Sequence, residues 1–143
     1  MEKILVSACL AGEKTRYDGK SSYTPLFKEL QKKYDIILVC PEVFGGLPTP
    51  RPRSEIKNGK VINEKGFDVT KKFESGVDKA ITAVKYFNIT KALLKDGSPS
   101  CGSSKIHDGS FTSAMVSGQG LLAERLTKIG VEIYTEDQIE SLL

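Results

Sequence analysis

Apolar residues in this chain fall into short continuous runs separated by helical stripes. "KILVSA" (3–8) and "DIILVC" (35–40) are unbroken apolar runs of strand length, the mark of strands covered on both faces. "KALLK" (91–95) and "VEIY" (131–134) predict a third and a fourth strand. Between the first two lies "YTPLFKELQKKY", where Thr24 is expected to cap a helix, Pro25 to open it, and Leu26, Phe27 and Leu30 to face inward. Residues 69–88 predict a long helix, because Phe73, Val77, Ala80, Ile81, Val84 and Phe87 recur at three- and four-residue spacing. Residues 119–129 predict another, with Leu122, Leu126 and Ile129 inward, and Thr135 with Gln138 predict a capping box for a closing helix over 136–142.

Two stretches interrupt this rhythm and are expected to be loops. "CPEVFGGLPTPRPR" carries Pro41, Pro48, Pro50 and Pro52, and "DGSPSCGSSKIHDGSF" (96–111) is rich in glycine and serine. In "SEIKNGKVIN" the pair Asn58-Gly59 between two extended arms predicts a β-hairpin. The alternation of strands and helices predicts an α/β, three-layer Rossmann-like fold: a mainly parallel sheet of about four strands with helices on both faces, plus a small β-hairpin, in a single domain over residues 1–143.

Composition narrows the class. The chain has 143 residues, 39% hydrophobic and 27% charged, which is ordinary for a globular protein with a real core. A net charge of +3 is too weak to predict a stable nucleic-acid complex or an electrostatic membrane partner. No apolar run reaches membrane-spanning length, and "MEKILVSACLAG" lacks the flanks of a signal peptide, so a cytoplasmic location is expected.

The three cysteines carry the chemistry. Cys9 lies just past the first predicted strand, Cys40 ends the second and Cys101 follows the third. All three are thus expected at the carboxyl edge of a parallel sheet, where open α/β folds bind ligands. An odd number of cysteines in a reducing compartment points away from a disulfide framework and toward metal or catalytic thiols. Small residues beside them, Ser7 and Gly12 near Cys9, Gly45 and Gly46 after Cys40, and Gly102 after Cys101, are expected to let backbone approach a bulky cofactor; Ser7, Gly12 and Gly102 are the cofactor-binding candidates. Three thiolates suit a zinc ion completed by water or by His107, the only histidine, although His107 reads more simply as a loop residue beside Asp108-Gly109. They equally suit an iron–sulfur cluster with one iron lacking a protein ligand, and spacing does not separate the two. Glu42 lies at the same edge, available as a catalytic carboxylate or as a helix cap or arginine partner. Arg51, Arg53, Arg16, Tyr17 and Phe44 are candidates to meet a planar or anionic substrate, the alternative being that Arg51 and Arg53 are solvated or pair with Glu55 or Asp18.

The motifs "LVSACLAGEKTRYDG", "CPEVFGGLPTPRPRSEI", "DVTKKFESG", "LLKDGSPSCGSSKIHDGSF" and "SGQGLLAERL" resemble, in this order and over nearly the whole chain, the thiouracil desulfidases, a bacterial and archaeal family, in their short single-domain form. The resemblance implies a cubane [4Fe-4S] cluster bound by Cys9, Cys40 and Cys101. It implies that the remaining iron takes the sulfur of a thiolated nucleobase such as 2-thiouracil. It further implies catalytic roles for Glu42 and for a serine before the third cysteine, Ser98 or Ser100. The reaction expected is hydrolysis of C=S to C=O with release of sulfide and no net electron transfer. The competing expectations are a three-cysteine zinc hydrolase and a sulfur- or cluster-carrying protein without nucleobase turnover.

Overall fold

The computed structural model describes residues 1–143. Four strands form one parallel sheet: β1 (Lys3–Ser7), β2 (Asp35–Val39), β5 (Lys91–Leu94) and β8 (Glu132–Thr135), in the order β2-β1-β5-β8. Two further pairs are antiparallel hairpins, β3 (Ser54–Lys57) with β4 (Lys60–Asn63) and β6 (Lys105–His107) with β7 (Met115–Ser117). The helices are α1 (Phe27–Lys33), α2 (Pro41–Phe44), α3 (Thr70–Phe87) and α4 (Leu121–Lys128), with 3-10 turns at Ala8–Ala11 and Glu136–Leu142.

Strand periodicity divides the core into two. Along β1, Leu5 points to one face and Ile4 and Val6 to the other. On the first face Leu5, Val39, Ala92 and Leu94 meet Val77, Ala80, Ile81 and Val84 of α3 and Leu122, Ala123 and Leu126 of α4. On the second, Ile4, Val6 and Leu93 meet Phe27 and Leu30 of α1 and Ile139 and Leu142 of the closing turn. This is the expected three-layer α/β arrangement. β2 lies to one side of β1 and β5 to the other, so the winding reverses between β1 and β5. The crevice beyond the carboxyl ends of those strands is the switch point at which such folds place ligands.

Several expectations change in detail. α1 begins at Phe27 rather than Pro25, and the Thr24 side chain does not cap it; the turn is closed instead by the Phe27 amide on the Thr24 carbonyl. The stretch after Cys40 is not all loop. Pro41 fits the first helical position, where no amide donor is needed, and opens the one-turn α2. The closing helix is 3-10, with the Thr135–Gln138 capping box formed as expected. Asn58 and Gly59 take φ of +52° and +77°, the left-handed pair of a tight hairpin.

Glycine at two positions permits a backbone crossing that holds α2 against α3. A β-carbon on Gly76, in the middle of α3, would collide with the Pro41 carbonyl, and one on Gly45 with the Lys72 carbonyl. The expectation that Gly45 serves a ligand is therefore corrected: it serves helix contact. The loop after β5 is organised by Asp96, which is buried. One of its oxygens accepts the amides of Gly97, Ser103, Ser104 and Lys105 at 3.0–3.2 Å, and the other accepts the Ser104 hydroxyl. Burial alone raises a carboxyl pKa, but these hydrogen bonds outweigh it and hold Asp96 below its ordinary value.

Two outcomes follow. Gly76→Ala, which adds helix propensity in an ordinary helix, is expected here to destabilise by about 3 kcal/mol or more in urea unfolding, because backbone has to move. A wild-type stability in that variant contradicts the crossing. Asp96→Asn is expected to cost about 2 kcal/mol near neutral pH. Because the folded Asp96 pKa is depressed, its contribution is complete above the unfolded value of about 4 and lost as pH falls through the folded value. The stability difference between wild type and variant should therefore narrow below about pH 4.

Candidate metal and catalytic site

All three thiols line one cavity of about 280 Å³ at the switch point. Cys9 enters from the 3-10 turn that follows β1, and its carbonyl receives the amides of Gly12 and Ser22. Cys40 caps α2 in extended backbone, so the amides of Glu42 and Val43 face its sulfur. Cys101 comes from the loop after β5, with the hydroxyls of Ser7 and Ser100 against its sulfur. Burial pushes all three thiols up, Cys9 to about 11. Cys40 raises Cys9 further, and Cys40 and Cys9 both raise Cys101, which places the three sulfurs within each other's electrostatic reach.

The donor set discriminates between metals. Tetrahedral zinc with bonds of about 2.3 Å needs its thiolates about 3.8 Å apart. No three Cys, His, Asp or Glu side chains here converge closely enough to hold one ion. His107 sits on β6 at the cavity wall, with Nδ1 3.1 Å from the Gly97 carbonyl. Three soft thiolates spread around one hollow fit a polynuclear iron–sulfide group, in which each sulfur takes a different metal corner.

A chain of polar groups runs beside the thiols. Ser98 Oγ accepts the amides of Ser100 and Cys101, each at 3.0 Å, and lies 2.9 Å from Ser100 Oγ. Ser100 Oγ donates to Glu42 Oε2 at 2.9 Å. The Ser100 proton is thereby committed to the carboxylate, so the Ser98 hydroxyl donates to Ser100. Arg51 Nε binds Glu42 Oε1 at 3.1 Å. Nη1 donates to the Pro48 carbonyl and the Thr49 hydroxyl, and Nη2 gives one of its two hydrogens to the Thr15 carbonyl. Arg51 is therefore a buried clamp on Glu42 and has no free fork for a substrate, which corrects one expectation. The alternative pairings with Glu55 or Asp18 are corrected too: Arg53 pairs with Glu64 at 3.7 Å and lies over the Phe111 ring, and Asp18 pairs with Arg16 at 2.9 Å.

The remaining candidates divide. Ser7 lines the cavity and accepts the Lys95 amide at 2.9 Å. Arg16, Tyr17 and Arg53 line it as well. Gly12 and Gly102 do not. Gly12, at φ +97°, closes the 3-10 turn against Tyr23. A β-carbon on Gly102 would stand 2.6 Å from the Ser98 carbonyl and 2.8 Å from that of Lys105, so its smallness lets the loop fold upon itself. Phe44 is partly exposed outside the cavity lining and is not placed to stack on a substrate. Sequence reasoning passed over Asp96 and the cavity-facing position of Glu55, which is the buried residue of β3 and pairs with Ile62 of β4.

Comparison with known proteins gives three results. The sequence profile described as 2-thiouracil desulfurase matches residues 4–138. An uncharacterized protein of Bacillus subtilis (strain 168), YbbK, is 33% identical over 150 aligned positions, covering 98% of this chain and 99% of its own. A solved structure of the [4Fe-4S]-dependent thiouracil desulfidase TudS superposes with a TM-score of 0.93 at 42% identity, covering 99% of this chain and 95% of that one. With the profile spanning nearly the whole sequence and the fold shared throughout, this chain belongs to the 2-thiouracil desulfurase family.

Proposed function

We propose that this protein is a [4Fe-4S]-dependent desulfidase that converts the C=S of a thiolated nucleobase of the 2-thiouracil type to C=O and releases sulfide. The observation that carries this reading is the meeting, in one cavity, of three thiols from three strand ends with a hydrogen-bonded carboxylate–serine chain. Cys9, Cys40 and Cys101 would hold the cluster, and their raised thiol pKa values mean that its binding releases protons. When bound, the cluster supplies a thiophilic Lewis-acid iron without a protein ligand, and no electron transfer is required.

The protein's own groups supply the proton chemistry. The overall change is C=S + H₂O → C=O + H₂S, so a proton has to leave the attacking water and protons have to reach the departing sulfur. Glu42 is the general base: Arg51 and Ser100 fix its two oxygens, so it accepts the water proton without reorganising. The Ser100 hydroxyl, bonded to Oε2, is the adjacent relay. Ser98 orients Ser100, and through the Cys101 amide it also fixes the loop bearing the third thiol. Both serines therefore belong to the catalytic arrangement, with Ser100 in direct contact with the base.

Sulfide release and loss of thiocarbonyl absorbance, measured anaerobically with 2-thiouracil, test this directly. Glu42→Gln is expected to keep wild-type iron content and to lower kcat by about 100-fold or more. Ser100→Ala is expected to lower kcat with little change in KM, whereas Ser98→Ala is expected to lose iron content as well, because it releases two amides next to Cys101. Full turnover by iron-loaded Glu42→Gln removes the carboxylate from the mechanism, and absence of turnover by iron-loaded wild type with any thiolated pyrimidine overturns the reading.

A further inference from the structure

Besides Glu42 the cavity is lined by Asp96 and Glu55, two carboxylates that the proton chemistry leaves unused. Glu55 projects from β3 and lines the cavity, yet the residue as a whole is only 3% exposed. Its two oxygens are in different situations. Oε1 accepts the backbone amides of Gly109 at 3.0 Å and Phe111 at 3.1 Å, which ties the tip of the β6–β7 hairpin to the cavity wall. Oε2 has no partner in the protein. No buried side-chain oxygen in the molecule lacks a partner, so Oε2 is reached by solvent, and for a residue enclosed on its other sides that access is the cavity.

Such an oxygen is a preorganised acceptor. Its carboxylate is anchored by two hydrogen bonds on the far side, so little side-chain entropy is lost when Oε2 binds a donor. The other acids near the cavity are already engaged: Glu42 by Arg51 and Ser100, Asp96 by the loop amides, and Glu136 by Lys95 at 2.7 Å. Among these carboxylates Glu55 alone presents an oxygen without a partner to an incoming molecule. A thiolated pyrimidine offers a matching group, because its thiocarbonyl carbon is flanked by ring N–H.

We propose that Glu55 is the substrate-positioning residue, its Oε2 accepting a ring N–H adjacent to the thiocarbonyl. This rests on the desulfidase reading. The substrate class is thereby narrowed to cyclic thioamides and thioureas with a free N–H next to C=S. Removing that N–H costs binding twice: the hydrogen bond is lost, and a buried carboxylate oxygen is left without a donor.

Glu55→Gln separates the two roles of the side chain. Its carbonyl oxygen still accepts the Gly109 and Phe111 amides, while its NH₂ group turns the cavity-facing acceptor into a donor. With iron-loaded protein the expected result is an about 10- to 100-fold lower kcat/KM for 2-thiouracil, expressed mainly in KM, at unchanged iron content and thermal midpoint. The wild-type enzyme, assayed with N1-methyl- and N3-methyl-2-thiouracil, is expected to reject one of the two by a similar factor, and Glu55→Gln is expected to lose that discrimination. Equal kcat/KM of the wild-type enzyme for 2-thiouracil and both methylated compounds overturns the proposal even if the variant fails to fold. So does a folded Glu55→Gln with wild-type KM. Either result leaves the desulfidase reading standing, whereas a wild-type enzyme inert toward 2-thiouracil fails at that earlier step.

Discussion

Burying three thiols around one hollow is the constraint on which this structure turns. Cys9 and Cys101 are buried and Cys40 is half-buried; Cys40 disfavours ionisation of Cys9, both disfavour that of Cys101, and the amides and hydroxyls beside them only partly compensate. Nothing in a hydrophobic core calls for such an arrangement. Cysteine packs well as a small apolar residue, but three of them would be scattered through the core rather than gathered where parallel strands end. Binding of a metal–sulfide group by the three thiolates would relieve both the protonation and the repulsion.

The surrounding architecture is explained by the need to hold those sulfurs apart yet convergent. The reversal of winding between β1 and β5 opens the crevice. α2 then brings Cys40 and Glu42 to its edge, pressed against α3 at a backbone crossing where only glycine fits. On the other side Asp96 gathers the amides of its own loop and so fixes the segment carrying Ser98, Ser100 and Cys101. The two segments meet in the single hydrogen bond from Ser100 to Glu42, residues 58 positions apart in the chain. The proposed catalytic groups and the proposed cluster ligands thus stand on the same short pieces of backbone, so that disturbing one would disturb the other.

The thiol positions were legible in the sequence because apolar runs mark strand ends, and strand ends in a parallel sheet share an edge. The hairpin at Asn58-Gly59 was legible for an equally local reason, since that pair supplies two left-handed conformations in succession. What was not legible depends on chain segments doubling back. Arg51 looked like a substrate ligand until the proline-rich loop returned it to Glu42, with its amide on the Tyr17 carbonyl. Gly12 and Gly102 looked like room for a cofactor, but Gly12 supplies the left-handed φ of +97° that ends a turn, and Gly102 relieves a close approach of the loop to itself. The β6–β7 hairpin left no periodic signal: its strands are three residues long, β7 is exposed throughout, and its tip uses left-handed Phe111 and Ser113 where glycine or asparagine is the usual choice.

The central claim is that Cys9, Cys40 and Cys101 together hold one iron–sulfide cube. Iron and acid-labile sulfide per chain, determined after anaerobic reconstitution of the wild-type protein and of each single Cys→Ser variant, address it most directly. About four of each per wild-type chain are expected, with a marked loss in all three variants. A stoichiometry of one metal per chain, or a full complement of iron retained when any one of the three sulfurs is removed, would contradict it.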